Sequence, residues 1–251
     1  MTARVASRSF YHEHPDALVG ESDVLDVRPG RVLLARSPFY PGGGGQLADR
    51  GVLRWAAGES AVTGFEPSEH GIWHLLADPV EPAGVVQAAV DERFRQLMRE
   101  THTGTHILNA LVFQHFDGAL VTGVQMQDDG SARMDFDLPD ADNDRLRALE
   151  PELNEVVRRD LRVGDDYVPL EAARAQRGLI RSRSVAPPPT ADGLVRIVEI
   201  AGLDRQACGG THLASTGRSH ALRVLKIENK GRHNRRVRIA LVGFPGTPGW
   251  Q

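Results

Sequence analysis

The sequence has a single cysteine, few aromatic residues and no long apolar run. Cys208 is the only cysteine among 251 residues, so the chain cannot close an internal disulfide and is not a disulfide-stabilised mini-protein. Its uninterrupted apolar runs are a few residues long, far below the roughly 20 that a membrane span requires. The first residues, MTARVASRSFYHEH, lack the apolar core of a signal peptide. The sequence therefore predicts a cytoplasmic protein with no membrane association.

The chain also lacks a strong net charge, which is −3, but its charges are segregated. Residues 128–171 hold 14 acidic and 6 basic side chains, whereas residues 218–238 hold 8 basic side chains and Glu228 alone. We call the eight lysines and arginines between Arg218 and Arg238 the basic strip. Such a strip indicates a surface for a polyanion. The alternative is a strand whose arginines only keep its outer face solvated.

The hydrophobic pattern changes near residue 90. Residues 1–90 hold short runs rich in branched residues, separated by glycine, proline, aspartate and serine, which is typical of a small β-barrel or sandwich. From Asp91, the expected N-cap, apolar residues recur every three to four positions and predict a helix to about His115. A second helix is expected over 141–162, opened by Asp140 or Asp142. The stretch SVAPPPTADG is expected to be a loop, followed by three strands.

Two clusters of metal-ligating residues stand out. His102 and His106 are four positions apart on the first predicted helix, which places both imidazoles on one face. Gly104 between them suggests that another group approaches the helix closely. Cys208 and His212 flank a glycine-containing turn, so that one thiolate and three imidazoles could converge on a divalent cation, for which zinc is favoured. The alternatives are a buried, inert cysteine and a histidine that serves only the core.

Two common zinc sites are excluded. A metalloprotease of the HExxH type carries glutamate directly after the first histidine, where this chain has Thr103. A finger with two cysteines is excluded because there is one cysteine.

A third motif is the glycine-rich segment FYPGGGGQLADRG, residues 39–51. Four successive glycines followed by Gln46 form a loop of little bulk that could approach a ligand or phosphate. The segment lacks the Lys-Ser/Thr ending of a P-loop, so nucleotide hydrolysis is not predicted. A flexible hairpin tip is the alternative.

These motifs occur together and in order: FYPGGGGQLADRG, HTGTH, RIVEIAGLDRQACGGTH and KIENKGRHNRRVRI. In this combination the chain resembles the editing region of alanyl-tRNA synthetases, and more closely the free-standing AlaX editing hydrolases. The related threonyl-tRNA synthetase domains typically have Gly-Pro before the last histidine, whereas this chain has Gly210-Thr211, which favours the alanyl branch. Because the chain begins at Met1 without room for an aminoacylation domain, a free-standing editor is expected.

The resemblance implies an α+β fold, with a β-barrel domain over residues 1–90 and a zinc-dependent editing domain over 91–251. It implies hydrolysis of the ester that joins serine or glycine to the 3′ end of tRNA(Ala), with one Zn²⁺ per chain. No obligate protein partner is expected.

The implied ligands are His102, His106, Cys208 and His212, of which His212 is expected to be bound least tightly. The candidates that recognise the serine hydroxyl, and so are assigned to catalysis, are Thr103, Thr105 and Gln125. The residues expected to contact substrate or tRNA are Gly43, Gly44, Gly45, Gln46, Arg223, Lys230, Arg235 and Arg236.

Three other functions remain open from the sequence. The chain could be a non-catalytic tRNA-binding module with a structural zinc, or an editing domain for another tRNA. It could also hydrolyse small amino esters or D-aminoacyl-tRNA.

Overall fold

The computed structural model describes residues 8–139, 142–181, 189–190 and 192–244. The chain divides into two compact units. The first comprises residues 1–43 and 47–96, and the second comprises residues 44–46 and 97–251. The short segment 44–46 of the glycine-rich loop therefore belongs to the second unit. The functional boundary expected at residue 90 stays a prediction.

The first unit is built on a closed antiparallel barrel of six strands, which confirms the barrel of the two folds, barrel or sandwich, that the sequence allows. A four-residue helix, α1 (Phe10–Glu13), precedes it. The strands are β1 (Val19–Arg28), β2 (Arg31–Leu34), β3 (Gly51–Trp55), β4 (Gly58–Ser68), β5 (Gly71–Leu76) and β6 (Val85–Val90). Their order around the barrel is β1-β2-β5-β4-β3-β6, and pairing of β1 with β6 closes it. Alternating branched residues such as Val32, Leu53 and Val86 fill the interior.

Helix α2 (Glu92–His115) follows the barrel and begins and ends where the sequence predicts. Asp91 caps it, because its carboxylate accepts the Phe94 amide hydrogen at 3.0 Å. At the other end Asp117 and Gly118 adopt left-handed backbone conformations, which terminate the helix. Every residue from 97 to 112 is buried, so the helix is enclosed on all sides and not on the single face that its periodicity suggests. Polar residues on this segment therefore need partners inside the protein.

The second unit contains two antiparallel sheets. The four-stranded sheet has the order β12-β13-β8-β7, with β7 (Val121–Met126), β8 (Ser131–Asp137), β12 (Ala221–Lys230) and β13 (Asn234–Val242). The three-stranded sheet has the order β11-β10-β9, with β9 (Val163–Pro169), β10 (Leu194–Ile200) and β11 (Asp204–Ala207). The three strands predicted after the proline-rich stretch correspond to β10, β12 and β13.

The second predicted helix is wrong in its extent. It is two helices, α3 (Asn143–Arg147) and α4 (Glu150–Arg158), separated by a turn at Ala148 and Leu149. Asp142 caps α3 by accepting the Asp144 amide hydrogen, whereas Asp140 lies outside the described residues. A further short helix, α5 (Leu170–Ala175), follows β9.

The remaining described segments include a 3₁₀ turn, Thr216–Arg218. Most of the predicted proline-rich loop, residues 184–188 and 191, lies outside the described residues. Among the described helices, none is both long and apolar enough to cross a membrane.

Candidate metal centre

The four side chains that the sequence singles out as ligands meet in the second unit. One ligand atom from each of His102, His106, Cys208 and His212 lies within 4.8 Å of the other three. The Cys208 Sγ is 3.4 Å from the His102 Nε2 and 3.3 Å from the His212 Nε2. All four residues are buried. The cluster could hold a metal ion, and no other group of three or more such residues is found in the described part of the chain.

Helix α2 supplies the first two imidazoles, whose ring centroids are 5.2 Å apart as expected for an i, i+4 pair. Gly104, which lies between the two histidines on the helix, faces Leu222 of β12. A Cβ at Gly104 would lie 2.9 Å from the Leu222 side chain, closer than real contacts allow. The close approach that the sequence suggests at this glycine is therefore made by a neighbouring strand.

The other two ligands come from the turn after β11. Arg196 of β10 holds this turn, because its guanidinium donates to the Cys208 and Gly210 carbonyls at 3.1 and 2.9 Å. The Gly210 amide in turn donates to the Cys208 sulfur at 3.4 Å. Gly210 packs directly against the His102 ring, which a Cβ at this position would overlap. The glycine is thus required by space at the metal centre.

Gln46 orients His102 from behind. Its Oε1 accepts hydrogen bonds from the His102 Nδ1 at 2.8 Å and from the Thr211 amide at 2.9 Å, and its Nε2 donates to the Thr211 hydroxyl. Because an amide oxygen only accepts, the His102 Nδ1 carries the hydrogen and its Nε2 presents a lone pair to Cys208. The residue that the sequence assigns to substrate or tRNA binding therefore lies behind a metal ligand.

Thr103 and Thr105, the two threonine candidates for recognising serine, are both buried and already engaged. The Thr103 hydroxyl lies 3.3 Å from the His212 Nδ1 and accepts the Leu213 amide hydrogen at 3.2 Å. The Thr105 hydroxyl donates to the His102 carbonyl at 2.7 Å. The Thr105 oxygen retains capacity to accept another hydrogen bond.

His106 faces a buried carboxylate. Its Nδ1 lies 3.6 Å from Asp204 Oδ2, and Arg181 pairs with the other carboxylate oxygen at 2.6 Å. Sequence reasoning did not single out Asp204, which lies four residues before Cys208 at the first position of β11. Its only sequence signal is an acidic residue a few positions before Cys208, beside the charged residue Arg205.

The electrostatics of the cluster favour a thiolate. Burial alone would raise the pKa of Cys208, but the three surrounding imidazoles lower it well below its ordinary value. Burial lowers the pKa of His102 and of His212, which favours their neutral, ligating forms. Burial also opposes a charge on His106, but the Cys208 thiolate and Asp204 outweigh it and raise its pKa to about 9.

Gln125, the third candidate for recognising serine, makes none of the contacts described above for the four side chains of the metal centre. It is exposed on β7, and its side-chain oxygen accepts from Arg133 of β8 at 3.1 Å.

The glycine-rich loop uses its glycines for backbone conformation. Gly43, Gly44 and Gly45 all have positive φ angles, between 57° and 121°. A Cβ at Gly45 would lie 2.7 Å from the Val124 carbonyl oxygen of β7, whereas one at Gly44 would meet nothing within 4 Å. The loop thus places Gln46 beside His102, and Gly44 is the one of these three glycines at which a side chain would meet no neighbouring atom.

Several cations of the basic strip form ion pairs within the β12–β13 hairpin or with its neighbour β8. Arg236 forms two hydrogen bonds with Asp135, at 2.6 and 2.8 Å. The Lys230 ammonium lies 3.7 Å from Glu228, and Arg235 is buried. Of the four basic residues predicted to contact substrate or tRNA, three are therefore paired or buried in this structure.

Three exposed cations of the strip have no ion pair within the described part of the chain. Arg218, Arg223 on β12 and Arg232 in the hairpin turn are exposed, and none has a side-chain partner among the residues that the structure describes. These arginines can meet an external anion without breaking an internal ion pair.

Comparison with known proteins gives a consistent set of relatives. A family model described as the threonyl and alanyl tRNA synthetase second additional domain matches residues 195–238. The chain is 34% identical over 224 residues to alanyl-tRNA editing protein AlaX-M of Saccharolobus solfataricus, covering 86% of this chain and 91% of that one. It is 33% identical over 231 residues to the alanine–tRNA ligase of Caldivirga maquilingensis, covering 88% of this chain. It is 32% identical over 252 residues to that of Pyrobaculum neutrophilum, covering 97%. The chain spans about a quarter of the length of these two ligases, 25% and 27%.

Proposed function

This chain belongs to the AlaX-type alanyl-tRNA editing proteins, and on that premise we propose that it hydrolyses mischarged tRNA(Ala). The bond broken is the ester between the wrong amino acid, serine or glycine, and the 3′-terminal ribose. Water supplies the hydroxyl of the released acid and the hydrogen of the freed ribose hydroxyl. The convergence of one thiolate and three imidazoles in a buried cluster is the observation that carries the proposal.

The donor set suits zinc. Zinc binds cysteine sulfur at about 2.3 Å and histidine nitrogen at about 2.0 Å, so that a sulfur and a nitrogen ligand of tetrahedral zinc are about 3.5 Å apart. The Cys208 Sγ lies 3.4 and 3.3 Å from the Nε2 atoms of His102 and His212, close to this separation. We propose that these three residues and His106 hold one zinc ion per chain. A bound zinc supplies a Lewis acid that polarises the ester carbonyl and lowers the pKa of water.

The protein's own groups divide the remaining work. Gln46 and Thr103 hold the rings of His102 and His212, so that their Nε2 atoms stay directed at Cys208. We assign recognition of the serine hydroxyl to Thr105, whose oxygen can still accept a hydrogen bond. An apolar pocket cannot strongly distinguish serine from alanine, so a polar partner is needed. A Thr105→Val variant should lose the preference for seryl over alanyl substrate, with Thr103→Val as the comparison.

The tRNA phosphates are proposed to contact Arg223 and Arg232. Arginine contacts to phosphate provide affinity that falls with salt but carry no sequence information. A cytoplasmic location, expected from the sequence, stays a prediction.

The direct test is to incubate Ser-, Gly- and Ala-tRNA(Ala) with zinc-loaded protein and follow deacylation. We expect hydrolysis of the seryl or glycyl species to exceed that of Ala-tRNA(Ala) by about 10²-fold or more in kcat/KM, because correctly charged product must survive. Cys208→Ala should lose zinc and deacylation together, since it removes the thiolate. Equal rates on all three substrates would contradict the proposal.

A second function is favoured by one observation. Four buried protein ligands are typical of a structural zinc, whereas catalytic zinc usually keeps one position open. A protein that retains zinc and binds tRNA but hydrolyses none of the three substrates would be a non-catalytic tRNA-binding module. If the chain is catalytic, His212 is the ligand that we expect to be released.

A further inference from the structure

Asp204 is a fully buried carboxylate beside the metal centre to which the proposed reaction assigns no role. Its side chain has no exposed surface. Asp204 is the first residue of β11, and its carboxylate faces His106 of helix α2. A buried carboxylate is costly unless charged or hydrogen-bonding groups surround it. The groups around Asp204 therefore indicate what the carboxylate does.

Three groups surround it. Arg181 pairs with Oδ1 at 2.6 Å, and Gln206 donates from its Nε2 to Oδ2, also at 2.6 Å. The third is the His106 Nδ1, 3.6 Å from Oδ2, a separation longer than a hydrogen bond. The carboxylate is thus held on two sides and directed towards the imidazole on the third.

The support extends back to the helix that carries His106. Asn109 lies one turn after His106 on α2 and donates from its Nδ2 to the Gln206 Oε1 at 2.8 Å. Since Gln206 lies two residues after Asp204, both side chains leave the same face of β11. A continuous chain of buried hydrogen bonds, Asn109 to Gln206 to Asp204, therefore ends at the carboxylate oxygen that faces the imidazole.

The His106 Nδ1 has no other partner. It is fully buried and makes no hydrogen bond within the part of the chain that the structure describes. In contrast, the Nδ1 atoms of His102 and His212 face Gln46 and Thr103 at 2.8 and 3.3 Å. His106 is thus the one histidine of the cluster whose outer nitrogen faces a charged residue.

We propose that Asp204 is a positioning residue for His106. Its carboxylate faces Nδ1, favours the tautomer that carries the hydrogen on that atom and so leaves Nε2 to face the metal cluster, and the Asn109–Gln206 chain holds the carboxylate in place. An outer carboxylate of this kind raises the basicity of a histidine ligand and orients its ring, and its loss weakens metal binding about 10–100-fold. The inference rests on the proposed zinc site, but it concerns one ligand of that site.

The competing view is that Asp204 serves only to neutralise the buried Arg181. The two views are separated by comparing Asp204→Asn with Arg181→Met. Asparagine keeps the volume but removes the charge, whereas methionine removes the arginine and leaves the carboxylate beside His106.

The test measures zinc affinity directly, by competition with a chromogenic chelator, and the visible spectrum of the Co²⁺-substituted protein. We expect Asp204→Asn to raise the zinc Kd by about 10–100-fold and to shift the cobalt bands. Arg181→Met and Gln206→Met each release one side of the carboxylate but leave it beside His106, so each should give a smaller loss in the same direction. Urea unfolding of the metal-free variants checks that each is folded.

Each outcome is decisive. A wild-type zinc affinity in folded Asp204→Asn would overturn the inference, and so would equal losses in Asp204→Asn and Arg181→Met. If Asp204→Asn does not fold, Gln206→Met decides: weakened zinc binding supports the inference and unchanged binding overturns it. Failure of the wild-type protein itself to bind zinc would instead overturn the proposed function.

Discussion

The contact between Gln46 and the metal centre leads to a quantitative prediction for Gln46→Met. Methionine has a similar length and suits a buried position, but it cannot accept the two hydrogen bonds that the Gln46 Oε1 receives. The substitution would therefore leave the His102 Nδ1 hydrogen and the Thr211 amide hydrogen without partners in a buried site. We expect losses of both stability and metal affinity.

The two orphaned donors affect different measurements. An unsatisfied buried donor costs about 1–3 kcal/mol. The Thr211 amide loses its acceptor whether or not metal is bound, so this loss should appear in the free energy of unfolding of the metal-free protein. Zinc binding requires His102 in one tautomer with its Nε2 directed inward, so the second loss should appear in the metal affinity. At 1.4 kcal/mol per factor of ten, it corresponds to a zinc Kd raised about 5–150-fold.

Both quantities can be measured on one preparation. Chelator competition gives the zinc Kd, and urea unfolding in excess chelator gives the stability of the metal-free protein. Gln87→Met is the matched control, because Gln87 is an exposed glutamine on β6 of the first unit. A zinc Kd for Gln46→Met equal to that of the wild type and of the control would refute the reasoning, and would return Gln46 to its predicted role in binding substrate.

Three further predictions concern space, protonation and tRNA binding. Gly210→Ala should lower zinc affinity at least tenfold, because the added methyl group overlaps the His102 ring. Gly164→Ala is the control, since a Cβ there meets nothing within 4 Å and zinc affinity should not change. Equal zinc affinities of the two variants would contradict this prediction. Burial lowers the pKa of His74 in the folded protein from 6.5 to about 4. As the pH drops from 6.5 to 4, the unfolded chain is therefore protonated at His74 while the folded protein is still largely neutral there. The free energy of unfolding should fall by about 3 kcal/mol over this range. Urea unfolding of His74→Gln over this range should show a correspondingly smaller fall, and an identical pH profile would argue against the assignment. Replacing Arg223 and Arg232 by glutamine should flatten the slope of log K for tRNA against log salt by roughly 1 to 2, and an unchanged slope would make these residues part of a solvated face.

The sequence by itself determined the first long helix, the β-rich character of the N-terminal part and the four side chains that meet in the candidate metal centre. Short runs of branched residues and closely spaced turns predict a small β-barrel or sandwich, because period-two burial is a local property of the chain, whereas the number of strands and the closure of the barrel come from the structure. Asp91 predicts the start of α2 for the same reason, since a cap depends on residues three positions apart. The pair His102 and His106 and the turn from Cys208 to His212 carry their chemistry in short spacings, which made the cluster predictable. The interruption between α3 and α4 was not predictable, because Leu146, Leu149, Leu153 and Val156 continue the helical period across it.

Only the tertiary structure decided which groups stand behind the ligands. Gln46 and Asp204 lie 56 and 98 positions from their histidines, and no local spacing relates them. The glycine-rich segment predicts a close approach, but it does not reveal that Gln46 meets a metal ligand. The basic strip looks uniformly available in the sequence, whereas folding pairs Arg236 with Asp135 of another strand and buries Arg235. Which charges remain exposed depends on long-range strand pairing, which brings together side chains that sequence patterns alone do not connect.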